Sequence, residues 1–528
     1  MPQFAIIGDH FGVREDVPRI KLSTAFLAAE SDNVTYHNGV LQRLPGRGAE
    51  FTDADGDSVV IPDGNPIIHW HYHADPAGLQ YCFAYTKAHV YLWDNVAKAW
   101  DLMFICSADC THWSSASFKD KIISVNGVDY VQVWDEDTPA TLFASLGSSA
   151  GIDIGSGVML TTAAYVIVYE TYLHLLDVTE GGVHYRYRTR WCSRNDETDF
   201  DDTGAGDTGH KDLEAGLRIK GAAIYTAGSA SMLLIFTNRN ITAAALVDDA
   251  LVFRFDEIAG SRGAVAPDSI VNDPEGNVYY LGTDWVIHRV FSDERISDAI
   301  DTTLRGINRT YAPYVRAAYI ESLDQLWWAI PKDSASTGND KVVRLNRRTG
   351  GWEPSSNVMD ISSFGRYAQQ TALSIDDIDT PIDEYDHVID SVENAEGWAY
   401  DVVGDYSGYG WRVADESTDK GNSYTGSAVF STDLTNGASL NTYKRTEGVW
   451  LWFTAESASA SEVSVAVRTE TEDGFTNYGT VNLYSTKRSI MVWLAIDVRG
   501  VQFDVQISGS NPWALEGAIF QFSFDGSA

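Results

Sequence analysis

Residues 231–291 limit what this chain can fold into more than any other stretch. The apolar runs there are short and are broken by turn formers: Asn238-Arg239-Asn240, Asp248-Asp249, Pro274-Glu275-Gly276 and Gly282-Thr283-Asp284. Runs of that length form antiparallel strands joined by tight hairpins, because Gly, Asn, Asp and Pro accept the turn conformations that strand residues avoid. From Leu251 to Asp256 the alternation is explicit. Leu251, Phe253 and Phe255 share one face, and Arg254 and Asp256 share the other, the period of a half-buried strand.

Around this stretch a unit recurs. Residues 83–93, 122–134 and 165–176 end alike, in Leu92-Trp93-Asp94, Val133-Trp134-Asp135 and Leu175-Leu176-Asp177; residues 233–246, 278–290 and 326–345 supply three more copies. The second strands begin near Val90, Tyr130, Tyr172, Ile241, Trp285 and Val342, so the steps are roughly 40, 42, 69, 44 and 57 residues. The two long steps carry polar insertions, at 193–216 and 332–340. Without them the spacing approaches the blade period of a β-propeller, whose radial packing protects strand edges. The expected fold class is all-β: a β-propeller of about six blades, with two packed antiparallel sheets as the alternative.

Flanking composition sets the expected boundaries. Residues 1–56 lack the unit and read as an N-terminal arm or cap, in which NVTYHNGVLQRLPG (33–46) is two strands about an Asn38-Gly39 turn. The propeller takes 57–374. Residues 375–389, with the acidic run IDDIDTPIDEYD, read as a linker, and 390–528 as a separate β-sandwich of ordinary domain size.

The net charge of −36 argues against gripping phosphate backbones by charge neutralisation and against attraction to anionic membranes. It equally fits plain solubility or a salty habitat; the functional reading is a surface that must not stick to a nearby polyanion. Residues 1–13 lack the features of a secretory signal, and the longest apolar stretch, 157–168, is too short to span a bilayer, so no membrane anchor is expected. Four cysteines (Cys82, Cys106, Cys110, Cys192) in 528 residues make no disulfide framework and read as reduced thiols made in a cytoplasm.

Chemical motifs are sparse. His69, His71 and His73 alternate, so a strand places all three rings on one side. Three imidazoles suit zinc or copper, but neighbours two apart lie about 7 Å from each other on a strand, and surface or interface histidines are the preferred reading. Asp53, Asp55 and Asp57 start like a calcium loop, but Ser58 and Gly64 occupy its sixth and twelfth positions; the run from Asp199 has Gly204 in place but His210 at the twelfth. Cys106 and Cys110 are spaced CxxxC. There is no GxSxG elbow, P-loop, HExxH or repeated Asp-box. No catalytic residue, cofactor or metal is expected, and the chain is not read as an enzyme.

A set of landmarks, in order, resembles the tail nozzle (tail hub, tail tubular protein B-like) family of tailed phages. They are NVTYHNGVLQRLPG (33–46), WCSRNDETDF (191–200), LLIFTNRNITAAAL (233–246), FRFDEIAGSRGAVAPDSIV (253–271), NVYYLGTDWVIHRV (277–290), VVRLNRRTGGWEP (342–354) and DVQISGSNPWALEGAIFQFSFDG (504–526). The resemblance implies a structural protein of the virion tail, made in the host cytoplasm. It implies a homo-oligomer, usually a hexamer, ringing the channel through which genomic DNA leaves without sequence-specific binding. Its partners would be other tail proteins: adaptor, fibres or tail tip. An acidic wall would let the duplex slide, and the candidate channel loops are Asp196, Asp199, Asp201, Asp202 and Asp207, with Asp376 and Asp377 in the acidic run. Two alternatives are a receptor- or glycan-binding tail protein, using Trp398, Tyr409, Trp411, Trp450, Trp452 and Trp513, and a propeller glycosidase, for which no motif speaks.

Overall fold

The computed structural model describes residues 3–6, 12–16, 22, 26–75, 79–203, 207–247, 252–292, 294–332, 337–355, 360–368, 399–432, 442–456, 461–485 and 487–527. In the stretch that most constrained the fold, Ala230–Thr237 pairs with Ile241–Leu246, which pairs with Phe253–Glu257. The intervening turn is held by Thr237, whose hydroxyl accepts the amides of Arg239 and Asn240. Phe253 is buried, while Arg254 and Asp256 are exposed and paired at 2.7 Å.

Among the described residues, seven antiparallel sheets make the propeller. The strands by which they meet are His69–Ala74, Ser114–Phe118, Met159–Tyr169 (itself edged by Ile152–Asp153), Ile219–Ala227, Val271–Asn272, Arg316–Ile320 and Ile361–Tyr367. Each touches the next, and the last touches the first, so the ring closes around an axis. Between neighbouring blades lies a separate apolar cluster. Phe83, Trp113 and Trp134 join blades 1 and 2; Trp328, Leu304 and Trp352 join blades 5 and 6; Phe51, Trp70 and Tyr367 join blades 7 and 1. The core is thus a wheel of seams, each built by the inward face of alternating strands.

The count is seven where the repeat suggested about six. Blade 7 is built from Ile361–Tyr367, Tyr400–Asp405, Gly410–Glu416 and, outermost, Gly46–Ala49. The closing strand comes from the segment expected to be an arm, and two strands come from the segment assigned to the sandwich. The run 375–389 lies outside the described residues, but its flanks do not separate two domains. Tyr367 and Tyr400 are directly paired, so the acidic run interrupts one blade. A long insertion between paired strands erases the sequence period without ending the fold, which is why a composition shift was mistaken for a boundary. Arg47, 2 % exposed, fastens the closing strand through 2.7 Å contacts to Asp419 and Asp360. Gly46 passes so close to Thr418 that a Cβ would meet its carbonyl oxygen at 2.1 Å.

The C-terminal sandwich also recruits the N-terminal segment. One sheet is ordered Val34–His37, Val40–Arg43, Ala514–Ser527, Thr442–Thr454, Ser489–Gly500, and Gln3–Ile6 pairs with Ala514–Ser527 as well. The other is ordered Gly426–Thr432, Phe503–Gly509, Glu462–Thr469, Thr476–Asn482. The Asn38-Gly39 turn forms as expected, with φ of 50° and 84°. The propeller is therefore an insertion between two strands of a sandwich, and residues 34–43 are sandwich, not arm.

Candidate functional site

The alternation in HWHYHA does put three imidazoles on one side, and that side faces blade 2. His69 Nε2 and His71 Nδ1 both reach Ser115 Oγ at 2.7 Å. His71 Nε2 reaches Ser117 Oγ at 3.0 Å, His73 Nδ1 reaches the same oxygen at 3.1 Å, and His73 Nε2 meets Glu136 Oε2 at 2.5 Å. Five contacts thus form one unbroken row of six groups. Ser115 and Ser117 sit on Ser114–Phe118 with the same two-residue period as the histidines, which lets the two first strands mesh like a zip. The Glu136 carboxylate is 9 % exposed and His73 is 5 % exposed.

At its other end the row opens on a cluster gathered from several blades. His112 precedes blade 2, Asp268 precedes blade 5, and Arg316 begins blade 6. Arg316 contacts Asp268 at 2.9 Å, His112 Nδ1 stands 3.6 Å from it, and the His112 ring packs on Tyr165 at 4.8 Å. Burial pushes His69 down to about 4, with Asp268 opposing and His112 and Arg316 reinforcing the shift. Burial pushes His71 further, to about 3, and His69 and His73 add to it. Burial alone would raise Asp268, but Arg316 and His112 hold it well below the usual carboxylate range. Both imidazoles are therefore neutral at neutral pH. The sequence pointed to the three histidines but not to Ser115, Ser117, Glu136, Asp268 or Arg316. The matching Ser alternation was the one signal available for two of these.

A second concentration of polar groups joins the propeller to the sandwich. Val34–His37 is an edge strand, and blade 6 takes its outward backbone groups. Arg344 Nη2 donates to Val34 O at 2.8 Å, Asn346 Nδ2 donates to Tyr36 O at 2.7 Å, and Tyr36 N donates to Glu353 Oε1 at 3.1 Å. Gln325 Nε2 donates to Thr35 Oγ1 and Glu353 Oε2. Arg344 is fully buried, and burial lowers its pKa although Glu353 opposes it. At the edge of the other sheet, Ala28 N donates to Val429 O, and Asp32 and Ser427 exchange backbone bonds. Edges treated in this way cannot pair with a foreign strand. Three stretches far apart in sequence meet here: 33–46, 342–354 and 504–526, the last through Arg43 N donating to Trp513 O at 3.0 Å.

The acidic loop is placed plainly. It joins Val183–Trp191, next to the edge in blade 3, to the edge strand Gly209–Asp212. Its carboxylates hold the loop's own backbone. Asp196 accepts from the amide and hydroxyl of Thr198, Asp201 does the same for Thr203, and Asp199 accepts the Asp201 amide. Asp202 pairs with Arg190 and His210, and Asp207 accepts from Tyr172, Ser193 and Arg194. The loop leaves from the outer strands of blade 3 and folds back: Phe200 is buried in the seam with blade 2, Lys121 of blade 2 pairs with Glu197 at 2.7 Å, and a Cβ on Gly155 would meet Asp201 at 2.4 Å. Asp376 and Asp377 lie outside the described residues.

The other sequence candidates divide as follows. Asp53 accepts the amides of Asp55 and Asp57, a turn held by its own side chain. Cys106 and Cys110 are free thiols. Among the described residues, Asp120, Asp135 and Asp137 form one carboxylate group whose oxygens lie within 4.8 Å of one another. Of the aromatic residues considered for glycan stacking, Trp411 and Trp513 are buried and belong to cores. Trp450 and Trp452 are half-buried on the outer face of their sheet, where Trp450 meets Trp493 at 5.1 Å. Trp398 lies outside the described residues.

No protein-family model matches the chain, and no curated protein matches it. Among solved structures it is similar to the β-propeller domain of Cps50 (Swd1) from Myceliophteria thermophila, at 11 % identity and a TM-score of 0.36, over 58 % of this chain and 90 % of that one.

Proposed function

We propose that this chain is a structural virion protein of a phage tail. Copies of it, six in the usual arrangement, ring the DNA-ejection channel as a nozzle or hub and dock the neighbouring tail proteins. The observation that carries the reading is the junction. The three stretches that open and close the ordered resemblance converge there and lock propeller and sandwich into one subunit, the requirement of a load-carrying wall. The charge of −36 supports it, since a wall that does not neutralise phosphates leaves no counterion-release affinity to slow the duplex. In this reading the loop carrying Asp196, Asp199, Asp201, Asp202 and Asp207 is a lumen-facing surface. The protein acts without catalysis or cofactor.

Imaging of assembled particles tests the proposal. The expected result is a closed ring of this chain on the tail axis, with negative potential on its inner wall; density for the chain off that axis overturns it. A second reading has its own observation, the half-buried Trp450, Trp452 and Trp493 on one outer sheet face, which suits stacking on sugar rings. It makes the chain a receptor- or glycan-binding tail protein, and silence on a glycan array removes it.

A further inference from the structure

The row of six groups between blades 1 and 2 has an internal polarity that the atoms dictate. An ionised Glu136 offers only acceptors, so His73 must carry its proton on Nε2. His73 Nδ1 then accepts from the Ser117 hydroxyl, whose oxygen accepts from His71 Nε2–H. His71 Nδ1 accepts from the Ser115 hydroxyl, whose oxygen accepts from His69 Nε2–H. Five hydrogen bonds consume five protons, three imidazoles are neutral, and the lone pair left over is His69 Nδ1. From His69 to His73 the row runs about 13 Å along the strand, from the axial cluster towards the opposite face of the wheel.

We propose that this row is a two-state proton relay joining the axial mouth of the propeller to Glu136. A proton arrives on His69 Nδ1, and His69 Nε2–H passes to Ser115. Ser115 gives its own proton to His71 Nδ1, His71 Nε2–H passes to Ser117, Ser117 gives its own to His73 Nδ1, and His73 Nε2–H passes to Glu136. Each interior group gains one proton and loses one. The net change is one proton taken up and one carboxylate made neutral. The product keeps all five hydrogen bonds, reversed, with every imidazole neutral and protonated on Nδ1.

The surroundings favour this route over charging an imidazole in place. Among the described residues His71 is faced by His69 and His73 and no carboxylate acts on it, so a cation there has no counter-charge. A cation on His71 turns a second donor on Ser115, and a cation on His73 turns a second donor on Ser117, so either strands a serine O–H. Ser115 has a further neighbour in the Tyr85 hydroxyl, which is itself bonded to Ser124. His69 is faced by Asp268, His112 and Arg316, with the Tyr85 ring at 5.1 Å. His73 is faced by Glu136 and packed by Tyr81 and Trp134, and Asp75 acts on Tyr81. The entry end thus has a carboxylate nearby and the exit end is a carboxylate, while the middle has none. The relay stands whether or not the chain forms a ring.

The test is a pH titration of the full chain labelled with nitrogen-15 in its histidines. At pH 7 His69, His71 and His73 should all show the Nε2–H tautomer. On acidification they should exchange together to Nδ1–H, with one midpoint and no cationic signal. Glu136→Gln removes the final acceptor and should abolish the joint exchange. Ser117→Ala cuts the row, so His73 should titrate apart from His69 and His71 even if the first variant fails to fold. A cationic signature at any of the three ahead of the tautomer change, separate midpoints in the parent chain, or an unchanged titration in either variant overturns the relay.

Discussion

One strand, His69–Ala74, is shared by two seams that hold by opposite means. Its odd positions face blade 2 through the hydrogen-bonded row. An even one, Trp70, faces blade 7, where Phe51 lies 5.4 Å from Trp70, 5.2 Å from Trp93, 4.9 Å from Trp100 and 5.1 Å from Tyr367. There Gly365 comes close enough that a Cβ would strike the Trp70 side chain at 2.4 Å. The closing seam is mainly apolar burial, which is indifferent to pH, and the hydrogen bonds that accompany it, from Ser362 and Ser363 to Ile67 O and from Tyr367 to Asn95, rest on hydroxyl and amide groups rather than on imidazoles. The ladder seam is directional and titratable. A propeller must close on itself to be stable, and here the closure sits on the seam that no proton can open.

Phe51→Ala would break the comparison hardest. Phe51 is 1 % exposed at the centre of four other rings, and removing such a side chain costs about 3–5 kcal/mol because the cavity refills only in part. Urea unfolding followed on the propeller should show that loss. Hydrogen exchange should quicken first in Ile361–Tyr367, the strand across the seam. A cost below about 1 kcal/mol would mean that Gly46–Ala49 and the Arg47 ion pairs close the ring without the aromatic cluster.

Acid should act on the other seam. The ordinary histidine pKa is about 6.5, and burial lowers His69 and His71 in the folded chain to about 4 and about 3. Between those limits the unfolded chain binds protons that the folded one refuses, so stability is intact above pH 6.5 and falls as pH drops towards 4. The slope is about 1.4 kcal/mol per pH unit for each such histidine. His71→Gln should make the loss between pH 6 and pH 4 shallower by roughly that slope, whereas Trp70→Phe should leave it unchanged. Equal slopes in parent and His71→Gln would remove the pH distinction between the seams. At pH 7, Ser117→Ala leaves two imidazole nitrogens without partners and should cost about 1–2 kcal/mol, measured by the same unfolding.

How much of this was legible beforehand depends on distance along the chain. Local signals carried well. The turns at 238–240, 274–276 and 282–284, the Asn38-Gly39 hairpin and the alternation at His69, His71 and His73 depend on neighbours a few residues away, and each formed as read, while Asp248-Asp249 lies outside the described residues. Pairings across long separations did not show. Gly46–Ala49 meets Gly410–Glu416 across most of the chain, and no period links them, so the seventh blade was hidden. The ladder's partners were hidden for the same reason: Ser115 and Glu136 are unremarkable until two strands are laid side by side. The acidic loop was found by composition, but whether its carboxylates face an axis depends on which strands it joins, and that is set by sheet order.

His174 sharpens the comparison by violating it. It lies in the aromatic seam between blades 3 and 4, fully buried, with Phe253 at 4.8 Å, Trp191 at 6.0 Å and Tyr169 at 6.4 Å. Among the described residues neither ring nitrogen has a hydrogen-bond partner, and burial alone pushes it down to about 3. It thus carries the acid sensitivity of the ladder without the ladder's compensating bonds. Two buried polar atoms without partners cost more than the apolar contacts of a leucine would lose. His174→Leu should therefore change stability at pH 7 by no more than about 1 kcal/mol, in the favourable direction. It should also flatten the acid slope by as much as His71→Gln does. If His174→Leu instead costs more than about 2 kcal/mol at pH 7, that ring is held by a polar contact, and the division into a wet seam and dry seams must be redrawn around it.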